Sequence, residues 1–384
     1  MATSFLSRRA DSGLGNIGAS PADPSRNVDW ILMTVQFALT IIGCFVVFSA
    51  SRTRITGDPY AFATRQVIFA IAATAVMFFV MSIDYDWWKE RARFLYGLTL
   101  LLLAFLFLLG IASGQDLISF DLGPINFQPA EMAKFTTVLM LAAYLAQERS
   151  DEVSYARFLG GLMIMGAPAV LVLIQPDLGG ASVLVSMAMG MLLVAGAKAR
   201  YMVLITVLSF VTVLAAFVGR MVNDYQAARI RALVNPAAAN TDDLYQAENA
   251  MRAIGTGGLW GKGWLQGPLT NGRDIPVMWA DFPFAAVGEQ FGFAGSVVVL
   301  SLLAVALVRI WRIASLSRDT LGTYICAGVF TMMLWQIFQN VAMTVQIMPV
   351  TGLPLPFISY GGSGLIVYFA MFGLVQSVHM RRMR

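Results

Sequence analysis

Ten separate apolar runs, each close to the length needed to cross a bilayer, constrain this chain more than any other feature. A hydrocarbon core about 30 Å thick needs roughly 20 apolar residues per helix. The runs fall near 30–50, 62–83, 94–113, 130–146, 158–175, 178–197, 201–219, 284–308, 321–343 and 363–379. The expected fold class is therefore an all-α polytopic membrane protein with about ten transmembrane helices. The fourth to seventh runs and the tenth are short, which predicts tilting, breakage or shielding by neighbouring helices. Of the 384 residues, 58% are hydrophobic and 12% charged. Soluble domains carry about a quarter charged residues, so this chain could not cover a water-facing surface.

The basic residues orient the spans. Alternate connections and the two ends hold Arg8, Arg9, Arg26, Lys89, Arg91, Arg93, Arg149, Arg157, Lys198, Arg200, Arg309, Arg312, Arg318, Arg381, Arg382 and Arg384, which is 16 of the 26 Lys and Arg. The opposite short loops hold only Arg52 and Arg54. By the positive-inside rule both termini are expected in the cytoplasm, with the long segment of about 220–283 outside. Residues 1–29, rich in Ser, Gly, Ala, Asp and Pro, read as a disordered cytoplasmic tail, and 30–384 as one membrane domain. No cleavable signal is expected, because the first apolar run follows a polar tail and is succeeded by further spans. The net charge of +4 is mostly arginine serving topology and anionic headgroups, so no nucleic-acid partner is expected.

Several kinds of chemistry drop out early. Cys44 and Cys326 sit within apolar runs without C-x-x-C or His-rich company, which argues against a disulfide framework or a zinc site. His379 is the single histidine and lies near the C-terminus, so Ser-His-Asp, Cys-His and multi-His metal chemistry are not expected. Carboxylates, Lys, Arg, hydroxyls and backbone remain.

Ionisable groups inside spans are costly and usually face a cavity or each other. They are Arg65, Glu131, Lys134, Asp177 and Glu289. Glu131 and Lys134 stand three residues apart on one helix and can pair, and Lys134 could also reach Asp177. One reading is an ion-pair network that fixes helix packing. The other is a cavity in which Lys134 and Arg65 meet an anionic headgroup. Pro168 and Pro176 predict helices broken near the outer half of the membrane, next to Asp177; an ordinary turn is the alternative.

Four segments are dense in Gly, Pro and polar residues: Phe127–Lys134, Gln175–Gly180, the long loop, and Pro349–Gly364. They predict a structured site built from several loops on one face. The run Gly255, Gly257, Gly258, Gly261, Lys262, Gly263 fails as a phosphate loop, since Thr256 and Gly263 stand where Gly and Ser or Thr are needed. A backbone-amide nest for a pyrophosphate and a tightly turned segment both remain open. Asp281, between Trp279 and Pro283 at the mouth of the eighth run, is a candidate general base among apolar neighbours. An N-cap role is the alternative.

Taken together, "FQPAEMAK", "QPDLGGA", "AIGTGGLWGKGW", "ADFPFAAVGEQFGF" and "MPVTGLPLPFISYGGSG" resemble the SEDS family of peptidoglycan polymerases, which includes RodA, FtsW and the sporulation homologue. The resemblance runs from about residue 30 to the C-terminus, and the Gly-rich loop segment looks more like RodA than FtsW. It implies a membrane glycosyltransferase that polymerises lipid II in cell-wall elongation and shape maintenance, releasing undecaprenyl pyrophosphate. It also implies a bacterial cytoplasmic (inner) membrane location and a class B penicillin-binding protein as partner, with other elongation-complex membrane proteins.

The family's essential aspartate aligns with Asp281. Arg65, Lys134, Glu131, Asp177, Arg252, Lys262, Ser359 and Ser363 are the accompanying candidates for substrate binding. No tightly bound cofactor or protein metal site is expected; a divalent cation, Mg or Mn, held with the substrate pyrophosphate is compatible with the resemblance. Pro276-Val277-Met278-Trp279-Ala280 departs from the family's usual P-E-x-H-T before the aspartate, and Gly364 replaces a second Ser after "GGS". A lipid flippase or transporter dependent on Glu131 or Asp177 is the competing class, and an FtsW-like division polymerase the competing member.

Overall fold

A short polar residue precedes many of the apolar runs, and in the computed structural model these residues start the helices. The structure describes residues 27–53, 58–114, 117–121, 123, 126–147, 153–207, 242–272 and 274–383. Asp29 caps α1 (Trp30–Ser51) and Asp84 caps α3 (Tyr85–Ser113), with α2 (Ala61–Ser82) between them. Ser154 caps α5 (Tyr155–Ile174) and Asp177 caps α6 (Leu178–Val194). Each side-chain oxygen accepts from a backbone N–H that the helix leaves without a partner. A two-residue hairpin, β1 (Phe120–Asp121) antiparallel to β2 (Asn126–Phe127), leads into α4 (Pro129–Leu145). After α6, residues 199–207 are helical. Then come α7 (Asp242–Gly257), the single turn α8 (Pro268–Asn271), α9 (Pro283–Ser315), α10 (Thr320–Thr344, capped by Asp319) and α11 (Gly362–Met380).

Seven of the described helices, α1, α2, α3, α5, α9, α10 and α11, are long and apolar enough to cross a membrane. This is an all-α, multi-pass membrane protein. The short runs include α4 and α6, 17 residues each, and α4 is buried along almost its whole length, so neighbours do shield it. The tail up to residue 26, positions 208–219 of the seventh run and 220–241 of the long loop lie outside the described residues.

Two expectations need correction. Helix α5 is continuous through Pro168. Proline removes one N–H and frees the carbonyl four residues earlier; here the Tyr96 hydroxyl donates to that carbonyl, on Ile164, at 2.6 Å. The chain breaks instead at the α5–α6 junction, where α5 ends at Ile174 and Asp177 starts α6. The eighth run, expected as one span, is interrupted at Gly292 (φ +66°), so α9 is a buried segment of about two turns followed by the spanning helix. The left-handed φ favours glycine. The break turns the N–H groups of Phe293 and Ala294 toward the carbonyls of Gly258 and Leu259, tying the long loop to α9.

Candidate active site

At the end of the bundle away from Asp29, four separated segments, with Ile118 from before β1, wall one cavity of about 440 Å³. Gln128 and Glu131 come from the start of α4, and Pro176, Asp177 and Gly180 from the α5–α6 junction. Ala280 and Asp281 precede α9. The loop before α11 adds Thr351, Gly352 and Leu353, then Ser359, Tyr360 and Gly361. Three motif segments singled out in the sequence thus meet here, joined by Asp281.

Asp281 ends a turn of helix formed by bonds from Ala280 N–H and Asp281 N–H to the Val277 carbonyl, both 3.0 Å. Met278 and Phe282 beside it are fully buried and anchor the turn. The capping position of α9 is Phe282, so the N-cap reading of Asp281 does not hold. Across the cavity Gly352 adopts φ +70°, and a β-carbon built on it would stand 3.9 Å from the Asp281 Oδ2. Glycine therefore leaves the space in front of the carboxylate open.

Glu131 and Lys134 are buried and paired, as the spacing predicts, and Glu131 Oε2 has no hydrogen-bond partner among the described residues. Asp177 Oδ1 accepts from Gly180 N–H at 2.7 Å, and its Oδ2 accepts from Gln128 Nε2 at 3.4 Å. Ser359 is buried on the wall, and its hydroxyl accepts from Leu355 N–H at 2.7 Å. Ser363 stands off the wall; its hydroxyl donates to the Asn126 carbonyl and accepts from Gln128 N–H, clamping β2 and the start of α4 onto α11.

Three candidate cations stand elsewhere. Arg65 is exposed on the first turns of α2 and Arg252 is exposed on α7, where it pairs with Glu248 at 3.6 Å. Lys262 lies 3.7 Å from Glu289, a fully buried carboxylate that also accepts from Leu269 N–H, Thr270 N–H and the Thr270 hydroxyl. Glu289 thus organises the 262–271 loop. The amide-nest reading of the Gly-rich run is overturned, because Gly261, Lys262 and Gly263 N–H donate to the carbonyls of Gly257, Glu289 and Gln290. Gly258, Gly261 and Gly263 all have positive φ, the tightly turned alternative.

Sequence reasoning missed Gln128, Thr351 and Tyr360 as individual wall residues, although each lies in or beside a quoted motif. It also missed a second, almost wholly apolar groove of about 570 Å³ between α1 and α2, closed by Trp264. The Phe62 ring lies 5.1 Å from that of Tyr360, on the cavity wall, and 4.9 Å from that of Trp279.

A multi-pass bundle with carboxylates gathered in a polar cavity at one end is the build of a membrane enzyme or transporter of amphipathic substrates. The family model for FtsW, RodA and SpoVE, described as a cell cycle protein, matches residues 29–384, and the chain belongs to that family. It is 30% identical to stage V sporulation protein E of Bacillus subtilis, over 91% of this chain and 96% of that one. It is 31% identical to the peptidoglycan glycosyltransferase MrdB of Escherichia coli K12, over 93% and 94% respectively. Among solved structures, one described as the structural coordination of polymerization and crosslinking by a peptidoglycan synthase complex superposes with a TM-score of 0.76 at 28% identity, covering 92% of this chain and 98% of the other. Thermus thermophilus rod shape determining protein RodA superposes at 0.67 and 27% identity, covering 92% and 97%.

Proposed function

We propose that this protein is a peptidoglycan glycosyltransferase that polymerises lipid II, with Asp281 as general base. The observation that carries the reading is the Asp281 carboxylate on the wall of the multi-segment cavity, with open space toward Gly352. Asp281 takes the proton from the 4-hydroxyl of an acceptor N-acetylglucosamine as its oxygen attacks the anomeric carbon of the donor N-acetylmuramic acid. Undecaprenyl pyrophosphate departs. Positioned proton removal of this kind accelerates a reaction by about 10²–10⁴-fold.

Among the described residues the wall carries three carboxylates, Glu131, Asp177 and Asp281, and no Lys or Arg. No group of three or more acidic, His or Cys side chains among the described residues forms a metal site by itself. In this reading a divalent cation, Mg or Mn, is held mainly by the substrate's pyrophosphate oxygens, where it would offset charge on the leaving group. Lys134, paired with Glu131, is the protein cation assigned to the same charge; Arg65, exposed on α2, stands away from the wall.

The flippase or transporter reading draws support from the same cavity, because Glu131 and Asp177 share it with Asp281. Chemistry separates the two. Purified protein, alone and with a class B penicillin-binding protein, is given labelled lipid II and the product run on a gel. Glycan polymer is expected; transport without polymer would sink the reading. The synthase complex among the structural matches supports a crosslinking partner. Similarity to MrdB and RodA favours the elongation role, while an FtsW of Halomonas elongata at 32% identity keeps the division role as the second reading.

The topology belongs to the same proposal: ten spans in the bacterial cytoplasmic membrane, both termini cytoplasmic, the cavity facing outward. Trp260, 82% exposed after α7, and Ser315, exposed at the last residue of α9, are suited to test it. Trp260→Cys should react with an impermeant thiol reagent applied from outside and Ser315→Cys should not. The reverse pattern overturns the orientation.

A further inference from the structure

Asn340, in the last turns of α10, is fully buried. Its Nδ2 donates to two backbone carbonyls at once, those of Asp281 and Leu353, each at 2.8 Å. The orientation of the amide is fixed, since flipping it would set its oxygen against two carbonyl oxygens. A carboxamide is the side-chain group that offers two N–H donors from one uncharged nitrogen. The two carbonyls belong to the segments that face each other across the cavity: Asp281, and Leu353 next to Gly352. One further bond, Tyr360 N–H to the Trp279 carbonyl at 2.9 Å, joins the same two segments farther along.

We infer that Asn340 is a positioning residue for the reaction: a two-pronged bracket that sets the Asp281 backbone, and with it the carboxylate, at a fixed distance from the loop that walls the acceptor space. The inference rests on Asp281 acting as proposed above. Misplacing a reacting group by about 1 Å costs on the order of 10²-fold in rate, so a bracket on the backbone carrying the base bears directly on turnover. Neither the sequence motifs nor the cavity lining points to Asn340, which reaches the site only through the carbonyls it holds.

The experiment compares Asn340→Leu and Asn340→Asp with wild type and Asp281→Asn in lipid II polymerisation, with rates expressed per folded molecule and thermal midpoints measured alongside. Asn340→Leu removes both donors and is expected to lower kcat about 10–100-fold with KM within about two-fold. Asn340→Asp supplies a pH signature. Its neutral carboxyl can donate one of the two bonds, whereas its carboxylate donates none and repels both carbonyls. Relative to wild type, its kcat should therefore fall as pH rises through the carboxyl titration and recover on return.

Variants that lose thermal stability while keeping wild-type kcat per folded molecule at every pH would make Asn340 purely structural and overturn the inference. Failure of both variants to fold would do the same. The two failures stay distinct: an active Asp281→Asn defeats the reading of the site, whereas an inactive Asp281→Asn beside normal Asn340 variants defeats only the bracket.

Discussion

The two ends of the helix bundle treat charge in opposite ways. At one end, acidic residues meet arginines: Asp29 with Arg309, Asp84 with Arg381 at 3.1 Å, and Asp86 and Asp319 with Arg318 at 2.6 and 3.3 Å. Several of the same carboxylates also cap helices, and Gln376 brackets Asp29 from both sides, accepting from its N–H and donating to its carbonyl. These charges fasten α1, α3, α9, α10 and α11 together. At the other end Glu131, Asp177 and Asp281 converge on one cavity whose described lining residues include no basic side chain. Glu131 is held there by Lys134, and Asp177 by Gly180 N–H and Gln128, so these carboxylates are fixed in place on the wall of a cavity, an arrangement suited to binding or proton transfer. The contrast teaches where the fold uses charge for cohesion and where it keeps charge available for chemistry.

The largest effect should come from the cavity. Asp281→Asn keeps shape and removes the base, so polymerisation of lipid II should fall by about 10²–10⁴-fold while the thermal midpoint in detergent stays near wild type. Activity within a few-fold of wild type would break the comparison outright.

Two of the ion pairs, one at each end, sharpen it. Asp29→Ala strands Arg309 and removes a helix cap, and loss of one partner of a buried pair typically costs about 3–5 kcal/mol. Thermal stability should drop, while polymerisation per folded molecule should not change. Glu131→Gln or Lys134→Met alone should also lower stability, because each leaves a buried ion behind. The double variant should regain stability and remain poorly active if Lys134 offsets pyrophosphate charge. Full recovery of activity in the double variant would move Glu131–Lys134 into the class of the Asp29–Arg309 clamp.

The smallest effect concerns the space in front of Asp281. Gly352→Ala strains a residue at φ +70° by about 1–2 kcal/mol and aims a methyl group at the carboxylate. A several-fold loss of kcat with a modest fall in melting temperature is expected in the same assay. Unchanged kcat would show that the acceptor does not occupy that space.

Much of this protein was settled by sequence alone. Hydrophobic length and the short polar residues before the runs set where helices start, because a helix in lipid satisfies its own backbone and needs only a cap. Outside the long loop, which holds α7 and α8, the described helices begin within a few residues of the predicted runs except α3, which starts nine residues earlier, at the polar stretch after Asp84. The i,i+3 spacing was enough to pair Glu131 with Lys134, since that geometry is internal to one helix. The motif segments around Asp281, Asp177 and Ser359 also marked the site before any fold was known.

Tertiary structure decided everything that depends on a partner from a distant segment. Pro168 does not break α5 because Tyr96, 72 residues earlier, supplies the missing donor to Ile164. The amides of Gly261, Lys262 and Gly263 are not open to an anion because the Gly257 carbonyl and two carbonyls of α9, those of Glu289 and Gln290, accept them first. Lys262 serves Glu289, and Asn340 holds Asp281 and Leu353 together. A sequence lists donors and acceptors one by one, and local spacing assigns those that bond within a helix. Which of the remainder are consumed by packing, and which are left facing a substrate, is fixed only when the helices come together.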